Sequence, residues 1–298
     1  SYPSATIQLL VPWPAGGGTD TLGRKLAERL SQRLKQTVIV QNMGGATATI
    51  GTRFVANSAP DGYTLLLASS EHAINQGYFK KLSYDGVRDF VAVAGIATQP
   101  FVILAGTSTK IETFKDLVEQ SKANPGKLTY ASWGKGSLAH LGMELVKANT
   151  GADLLHVPYK GSAPAITDIV GGFVHALMIS FSTAGPQYKS GKVKLLAAAS
   201  AQRFAPYSEV PSLVELGYPN VSINQWYGIL ARAGTPEPIV KRLATEISAA
   251  VQEPEMAQWM LQMGMLPFPV DPTQFDTFMR SEVAKWAKIM NDAKIAAE

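Results

Sequence analysis

Residues Val11 to Asp20 read VPWPAGGGTD, and this stretch decides how the start of the chain folds. It follows the apolar run IQLLV, which begins at Ile7, and it precedes a segment in which leucine recurs every four residues from Leu22 to Leu34. A short apolar run bounded by Pro and Gly is typical of a buried strand, and leucine at that spacing forms one apolar stripe along a helix. The stretch is therefore predicted to be a glycine-rich turn between a strand and a helix.

The rest of the chain repeats this alternation of short apolar runs and amphipathic segments. A second series runs from KLTYAS, which begins at Lys127, to KLLAAAS, which begins at Lys194. Alternating strands and helices predict an α/β fold with largely parallel strands. The chain leaves the first series near residue 99 and returns near residue 226, so we expect one lobe from 1–98 and 227–298, a second lobe from 99–226, and a hinge of two strands.

Composition excludes several classes of function. The 298 residues include 27 Lys and Arg against 23 Asp and Glu, and these charges are scattered rather than grouped, so nucleic acid is not an expected partner. The absence of cysteine excludes disulfides and thiolate chemistry. The four histidines, His72, His140, His156 and His175, lack the spacing of metal ligands, so neither a metal nor a cofactor is expected.

The glycine loop does not fit a nucleotide site. A dinucleotide motif starting at Gly16 needs glycine where Thr21 stands, and a phosphate loop read from Gly18 continues with Arg24 and Lys25 instead of Lys followed by Ser or Thr. The unpaired N–H groups and the dipole at a helix start favour a small anion such as a carboxylate. The alternative is that the glycines only form the turn and Asp20 only caps the helix.

A second loop has the same construction. The stretch YASWGKGSLAH, which begins at Tyr130, is again a strand, a Gly/Ser loop and a helix. If both loops face a cleft between the two predicted lobes, their N–H donors converge on one anion. Trp13 beside the first loop, Tyr159 after a later strand and His72 after another strand are further candidates for ligand contact, although each residue type is more often part of a core.

An enzymatic alternative rests on four residues. Ser132 to Lys135 read S-x-x-K, a serine–lysine spacing found in penicillin-recognising enzymes, but no S-D-N or K-T-G follows and the glycines argue against the helix that this motif requires. A serine acyl-transfer enzyme using Ser132 and Lys135 therefore stays an alternative to a binding protein. A third hypothesis is a ligand-sensing input to a signalling partner.

Along nearly its whole length the sequence resembles one family, the Bug-type periplasmic receptors, which are the substrate-binding components of tripartite tricarboxylate transporters. The stretches that carry this resemblance are VPWPAGGGTD, GGATATIGTRFVANSAPDGYTLLLASSEHAIN, KLSYDGVRDF, ANPGKLTYASWGKGSLAHLGMEL, HVPYKGSAPAITDIVGG, SGKVKLLAAAS, SEVPSLVELGYP and WYGILARAGTPEPIVKRL. The resemblance implies a two-lobed periplasmic binding protein of type II that closes like a Venus flytrap and performs no catalysis. It also implies that the mature chain lies in the periplasm after removal of a signal peptide, acts as a monomer and delivers a small carboxylate to membrane components of the transporter.

The resemblance also implies where the ligand binds. In the family, one ligand carboxylate is held by the loops that match Ala15–Thr19 and Ser132–Ser137. Many relatives have Met-Phe-Asp, whose acid can meet a ligand's amino group, where this chain has Ser180, Phe181 and Ser182, so we expect a di- or aromatic carboxylate and not an amino acid. The distal pocket is expected to be lined by His72, Tyr159, Ser182 and Thr183. The complete set of predicted ligand-binding residues is Trp13, Ala15, Gly16, Gly17, Gly18, Thr19, His72, Ser132, Gly134, Gly136, Ser137, Tyr159, Ser182 and Thr183.

Overall fold

The computed structural model describes all residues from Ser1 to Glu298, and the contacts among them divide the chain into two compact units. Unit 1 comprises Ser1–Thr98, Trp226–Met290 and Ala296–Glu298. Unit 2 comprises Gln99–Gln225 and Asn291–Ile295. That these units act as two hinged lobes stays a prediction.

The sheet of unit 1 combines parallel and antiparallel pairs. Its strands are β1 (Ile7–Val11), β2 (Val38–Asn42), β3 (Thr64–Ser69), the first part of β4 (Phe90–Gly106), β9 (Asn224–Arg232) and the short β10 (Leu266–Pro267). They lie in the order β2-β1-β3-β9-β4, with β10 paired to β4. The pairs of β1 with β2 and β3 are parallel, whereas β9 runs antiparallel to β3. The predicted largely parallel sheet is thus mixed, because the strand that re-enters the unit runs against its neighbour.

Six helices cover the sheet of unit 1. They are α1 (Gly18–Leu34), α2 (Thr49–Ala56), α3 (Ser70–Tyr78), α8 (Glu237–Val251), α9 (Pro254–Gln262) and α10 (Pro272–Asp292). The predicted leucine stripe of α1 is buried, with at most 5% exposure at any of its four leucines. Beside this stripe Arg29 and Arg33 form ion pairs with Glu253, and Arg33 also pairs with Glu246. These partly buried ion pairs connect α1 to α8 and to the start of α9.

Unit 2 has a second mixed sheet. Its strands are the second part of β4, β5 (Thr129–Ser132), β6 (Leu155–Pro158), β7 (Ala176–Ser180) and β8 (Val193–Ala198), in the order β4-β7-β5-β6 with β8 also paired to β4. Its helices are α4 (Phe114–Ala123), α5 (Leu138–Thr150), α6 (Ser162–Val170), α7 (Phe181–Lys189) and a short 3-10 turn, Ala205–Tyr207. The apolar core lies between sheet and helices, where side chains such as Leu177 and Phe181 are fully buried.

Within each unit, the parallel strands end at one edge of the sheet. In unit 1 these ends are Val11, Asn42 and Ser69, and in unit 2 they are Ser132, Pro158 and Ser180. Loops at the carboxyl ends of parallel strands are where α/β proteins bind ligands. Every residue that the sequence predicts for the ligand site lies at, or within eight residues after, one of these strand ends.

None of the helices combines the length and the hydropathy needed to cross a membrane.

Candidate functional site

The glycine loop of unit 1 leaves the start of α1 without a side-chain cap. Gly17 is the N-cap residue, with φ of −81° and ψ of 176°, and no side chain accepts a hydrogen bond from the first turn. A Cβ atom added at Gly16, Gly17 or Gly18 would meet no atom within 4 Å. Only Gly16, with φ of 97°, requires glycine for its backbone conformation. The first N–H groups of a helix have no intrahelical acceptor, so this loop offers donors beside open space.

A buried network behind the loop fixes its shape. One carboxylate oxygen of Asp20 accepts hydrogen bonds from the N–H of Gly16 at 2.9 Å and from Nε of Arg24 at 3.0 Å, and the other accepts one from Nδ2 of Asn42 at 2.8 Å. Nδ2 of Asn42 also donates to the carbonyl oxygen of Trp13 at 3.1 Å. Burial alone would raise the pKa of Asp20, but these hydrogen bonds outweigh it and lower the pKa. Asp20 is therefore a brace for the loop, with its carboxylate engaged inside unit 1.

The two ends of the loop are tied to the body of unit 1. Trp13 packs against the apolar core, and its Nε1 is buried without a hydrogen-bond partner. Thr19 forms a side-chain hydrogen bond with the hydroxyl of Tyr227. Burial, and next the nearby charge of Glu71, raise the pKa of Tyr227, so this phenol stays protonated. Ala15 lies between these anchors and is exposed.

His72 has a packing role inside unit 1. Its side chain is on α3 with only 4% of the residue exposed, and its Nε2 lies 2.7 Å from the carbonyl oxygen of Gly86. Its ring packs edge-on against Phe90 and is stacked near Tyr84. Burial lowers the pKa of His72 to about 4, against the opposing effects of the Gly86 carbonyl and Asp85. These surroundings give no support to His72 as a ligand contact, so it is left out of the proposed ligand set.

The loop after β2 contains an unusual left-handed turn. Ala46, Thr47 and Ala48 have φ of 49°, 51° and 71°, a region that side chains other than glycine rarely adopt. Each of their carbonyl oxygens is held: that of Ala46 by Thr49, that of Thr47 by Nδ2 of Asn75, and that of Ala48 by Thr52. These bonds offset the cost of the conformation.

The corresponding loop of unit 2 is stabilised by hydrogen bonds of its own serine side chains. The side chain of Ser132 is buried, and its Oγ accepts a hydrogen bond from the N–H of Gly134 at 3.1 Å and lies 2.6 Å from Nε2 of His156. Ser137 is the N-cap of α5, where its Oγ accepts from the N–H of His140 and donates to the carbonyl oxygen of Gly134. The loop bends at Gly134, with φ of 140°, and at Gly136, with φ of 79°. Both glycines are therefore required for the shape of the loop.

Two stacked histidines lie beneath this loop. The rings of His140 and His156 have centroids 4.0 Å apart and planes 7° apart, and Tyr130 stacks on the other face of His156. Nδ1 of His140 accepts a hydrogen bond from the N–H of Gly136 at 3.1 Å. Burial, with repulsion from His140 and two lysines, lowers the pKa of His156 to about 3. Both histidines therefore have a structural role, because each forms a hydrogen bond with the loop.

This geometry disfavours acyl transfer at Ser132. A serine nucleophile must be reached by its substrate and needs a base whose pKa is near the working pH. Ser132 has no exposed surface, and a histidine with a pKa of about 3 is a weak base.

Tyr159 and the start of α7 complete the edge of unit 2. The N–H of Tyr159 donates to the carbonyl oxygen of Ser132, and its hydroxyl donates to Asp168 at 2.6 Å. Burial, followed by this hydrogen bond, raises the pKa of Tyr159 to about 12. At α7, Ser182 and Thr183 are partly exposed, and Nε2 of Gln99 donates to Oγ of Ser182 at 3.0 Å. Gln99 was not predicted as a site residue, although a lone glutamine inside an apolar run is a visible signal.

The chain matches a family described as the tripartite tricarboxylate transporter family receptor over residues 22–295. It belongs to this family. It is 36% identical to the protein BugT of Bordetella pertussis over 294 residues, which cover 98% of this chain and 90% of BugT. It is also 32% identical to a Pseudomonas protein from the tcbD-tcbE intergenic region, over 100% of this chain and 89% of that protein.

Solved structures of periplasmic binding proteins have the same fold. The Rhodopseudomonas palustris protein Rpa4515 with adipate has a TM-score of 0.95 and 31% identity, and the periplasmic binding protein BugD has a TM-score of 0.93 and 32% identity, each with all of both chains covered. MatC of R. palustris with bound malate has a TM-score of 0.90 and 29% identity over 97% of this chain and 99% of its own. The predicted fold, an α/β two-lobed periplasmic binding protein, is confirmed.

Proposed function

We propose that the protein is a periplasmic solute receptor that binds a small carboxylate and delivers it to the membrane components of a tripartite tricarboxylate transporter. The observation that carries this proposal is the uncapped start of α1, where Gly17 and Gly18 leave space beside N–H groups. A helix N-terminus with unengaged N–H groups favours an anion. Membership of the receptor family, whose relatives include structures with adipate and with malate, supports a carboxylate as that anion.

The hydrogen bonds already made inside each loop determine which groups act on the ligand. The N–H groups of Gly16, Gly134 and Gly136 are engaged by Asp20, Ser132 and His140. We therefore propose that these glycines determine the shape of the loops. The N–H groups that bind the ligand are then those in the first turns of α1 and α5. Each helix start contributes roughly 0.3–1 kcal/mol to anion binding, and more where water is excluded. The residues proposed to form the ligand site, either by contact with the ligand or by shaping the loops, are Trp13, Ala15, Gly16, Gly17, Gly18, Thr19, Ser132, Gly134, Gly136, Ser137, Tyr159, Ser182 and Thr183.

The proposed ligand is a di- or aromatic carboxylate and not an amino acid. A buried ammonium group needs a carboxylate partner. The stretch from Ser180 to Gly185 offers none, and the carboxylate of Asp168 already accepts the hydroxyl of Tyr159. A sensor that uses the same site for signalling stays an alternative to transport.

A thermal-shift screen of mono-, di- and tricarboxylates, including adipate and malate, tests the proposal. A ligand at 100 times its Kd adds about 2.7 kcal/mol to the free energy of unfolding, which raises Tm by several degrees. The matched control is an amino acid with the same carbon skeleton, which we expect to give a smaller shift than the diacid. If no carboxylate raises Tm, the proposed function is wrong. Small-angle scattering with the best ligand then tests closure, which predicts a smaller radius of gyration.

A further inference from the structure

Four side chains at the start of α7 form a hydrogen-bonded group that we call the hydroxyl cluster: Gln99, Ser180, Ser182 and Thr183. Two of its hydrogen bonds are donated by nitrogen atoms. Nε2 of Gln99 donates to Oγ of Ser182 at 3.0 Å, and the backbone N–H of Thr183 donates to Oγ of Ser180 at 3.2 Å. Gln99 and Ser180 are buried, with 3% and 4% exposure, whereas Ser182 and Thr183 are partly exposed.

The remaining bonds follow because each hydroxyl has one hydrogen and two acceptor positions. Ser180 donates its hydrogen to Oγ1 of Thr183 at 2.9 Å. The bond of 3.1 Å between the hydroxyls of Ser180 and Ser182 must therefore use the hydrogen of Ser182. This leaves Ser182 with one acceptor position and no hydrogen, and it leaves Thr183 with its hydrogen. The partly exposed side of the cluster is thus an acceptor next to a donor.

A carboxylate matches only half of this pair. Its oxygens accept hydrogen bonds but cannot donate one, so a carboxylate would face the lone pair of Ser182. Rotating the Ser182 hydroxyl towards such a ligand would break its bond to the buried Ser180, where an unmade hydrogen bond is costly. A hydroxyl group on the ligand satisfies both members, since it donates to Ser182 and accepts from Thr183.

Resting on the proposed function, we propose that the carboxylate ligand of this receptor carries a hydroxyl group, which is read by Ser182 as acceptor and Thr183 as donor. Gln99 is the positioning residue, because its Nε2 donates to Oγ of Ser182 and so leaves the hydrogen of Ser182 for Ser180. The ligand class is a hydroxylated di- or aromatic acid.

Calorimetric titration of matched acids at neutral pH tests this inference. The probes are succinate with malate, and benzoate with 4-hydroxybenzoate, which differ within each pair by one hydroxyl. In at least one pair we expect the hydroxylated acid to bind about tenfold more tightly, the effect of one well-satisfied polar group. Ser182→Ala and Thr183→Val should each remove this preference, so that the two acids of a pair bind with affinities within about threefold of each other. Gln99→Leu should reduce the ratio of the affinity for the hydroxylated acid to the affinity for the unhydroxylated acid. A merely structural change would leave this ratio intact.

Ser190→Ala is the matched control, since this hydroxyl lies just beyond the far end of α7 and bonds to the carbonyl oxygen of Gln187. It should leave the preference unchanged. If wild-type protein binds carboxylates without preferring the hydroxylated member of either pair, the inference is wrong and the proposed function stands. If the preference persists in both Ser182→Ala and Thr183→Val, the inference is likewise wrong and the proposed function stands. If no carboxylate binds at all, the proposed function fails and the inference fails with it.

Discussion

The N–H of Gly16 donates a hydrogen bond of 2.9 Å to the carboxylate of Asp20, so the first turn of α1 holds the loop that leads into it. The same carboxylate receives Arg24 and Asn42, and it is almost completely buried. Trp13 and Thr19 tie the two ends of the loop to unit 1, and Asp20 holds Gly16 between them. The conformation of the loop therefore depends on one ionised side chain.

Replacing Asp20 by Ala should destabilise the protein. The change leaves three donors without their acceptor, at a total cost of about 1–3 kcal/mol in the free energy of unfolding. Since the pKa of Asp20 is lower in the folded state, its stabilisation is present above the unfolded pKa of about 3.9 and is lost as the pH falls through the folded pKa. Urea unfolding at pH 7 and pH 3 should show a larger difference between wild type and variant at pH 7. Asp276→Ala, which removes an exposed pair with Arg280, is the control and should cost less than about 0.5 kcal/mol.

Replacing Gly17 by Asp should stabilise the protein and abolish ligand binding. The backbone of Gly17 has the extended conformation of an N-cap residue, and there is space for a side chain. Aspartate there would accept the first N–H groups of α1, which is worth about a few tenths of a kcal/mol relative to glycine, and would occupy the proposed carboxylate site. Differential scanning calorimetry should show a raised Tm without ligand and no further rise with it. Gly17→Ala separates obstruction from charge, since it adds volume without an acceptor. A stable Gly17→Asp variant that binds carboxylate as well as wild type would contradict the backbone-donor site.

Two histidines should make the protein less stable as the pH falls from about 6.5 to 4. The pKa of His72 is lowered to about 4 and that of His156 to about 3, whereas an unfolded histidine has a pKa near 6.5. The unfolded chain therefore binds protons in this window that the folded chain does not, and each histidine contributes a slope of at most about 1.4 kcal/mol per pH unit. Urea unfolding of a His72→Gln and His156→Gln double variant should show a flatter pH dependence than wild type. Measurements at pH 8 are the control, because both histidines are neutral there in either state.

Gly228 should not tolerate a side chain. A Cβ atom at this position of β9 would lie 2.0 Å from Cζ of Phe275, whose ring packs on Trp226. Gly228→Ala should therefore lower the free energy of unfolding by about 1–3 kcal/mol through overpacking. Phe275→Leu in the same chain should recover part of that loss, which a double-mutant cycle measures. Strictly additive losses would show that the clash relaxes elsewhere.

Much of the fold was predictable because its signals are local. The leucine stripe of α1 and the glycine turns after β1 and β5 follow from spacing and from residue type. The strand β4 is continuous from Phe90 to Gly106, although a proline such as Pro100 is typical of a strand end. The strand continues because Pro100 lies between two pairing regions, with β10 paired to Ala97 and Thr98 and β7 paired from Phe101 onwards.

The features that the sequence did not predict depend on contacts between residues that are distant in the chain. The left-handed turn from Ala46 to Ala48 is unfavourable for its own residues, and one of its carbonyls is held by Asn75, which is 28 positions away from Thr47. The burial of His72 likewise depends on the carbonyl of Gly86. In unit 2, the direction of the Ser182 hydroxyl depends on Gln99, 83 positions earlier. Such contacts depend on how the chain folds back on itself, and no local spacing encodes them.

The donors at the start of α1 belong to the peptide backbone, and this has a consequence for how receptors of this kind can diverge. A point mutation cannot change the charge of a backbone N–H group, and at Gly17 it can only add an obstruction. The side chains of Ser182 and Thr183, by contrast, can gain or lose a donor in a single substitution. On the proposed function, substitutions at the start of α7 can therefore change which acid a descendant receptor prefers, while the backbone donors of α1 that bind the carboxylate are retained.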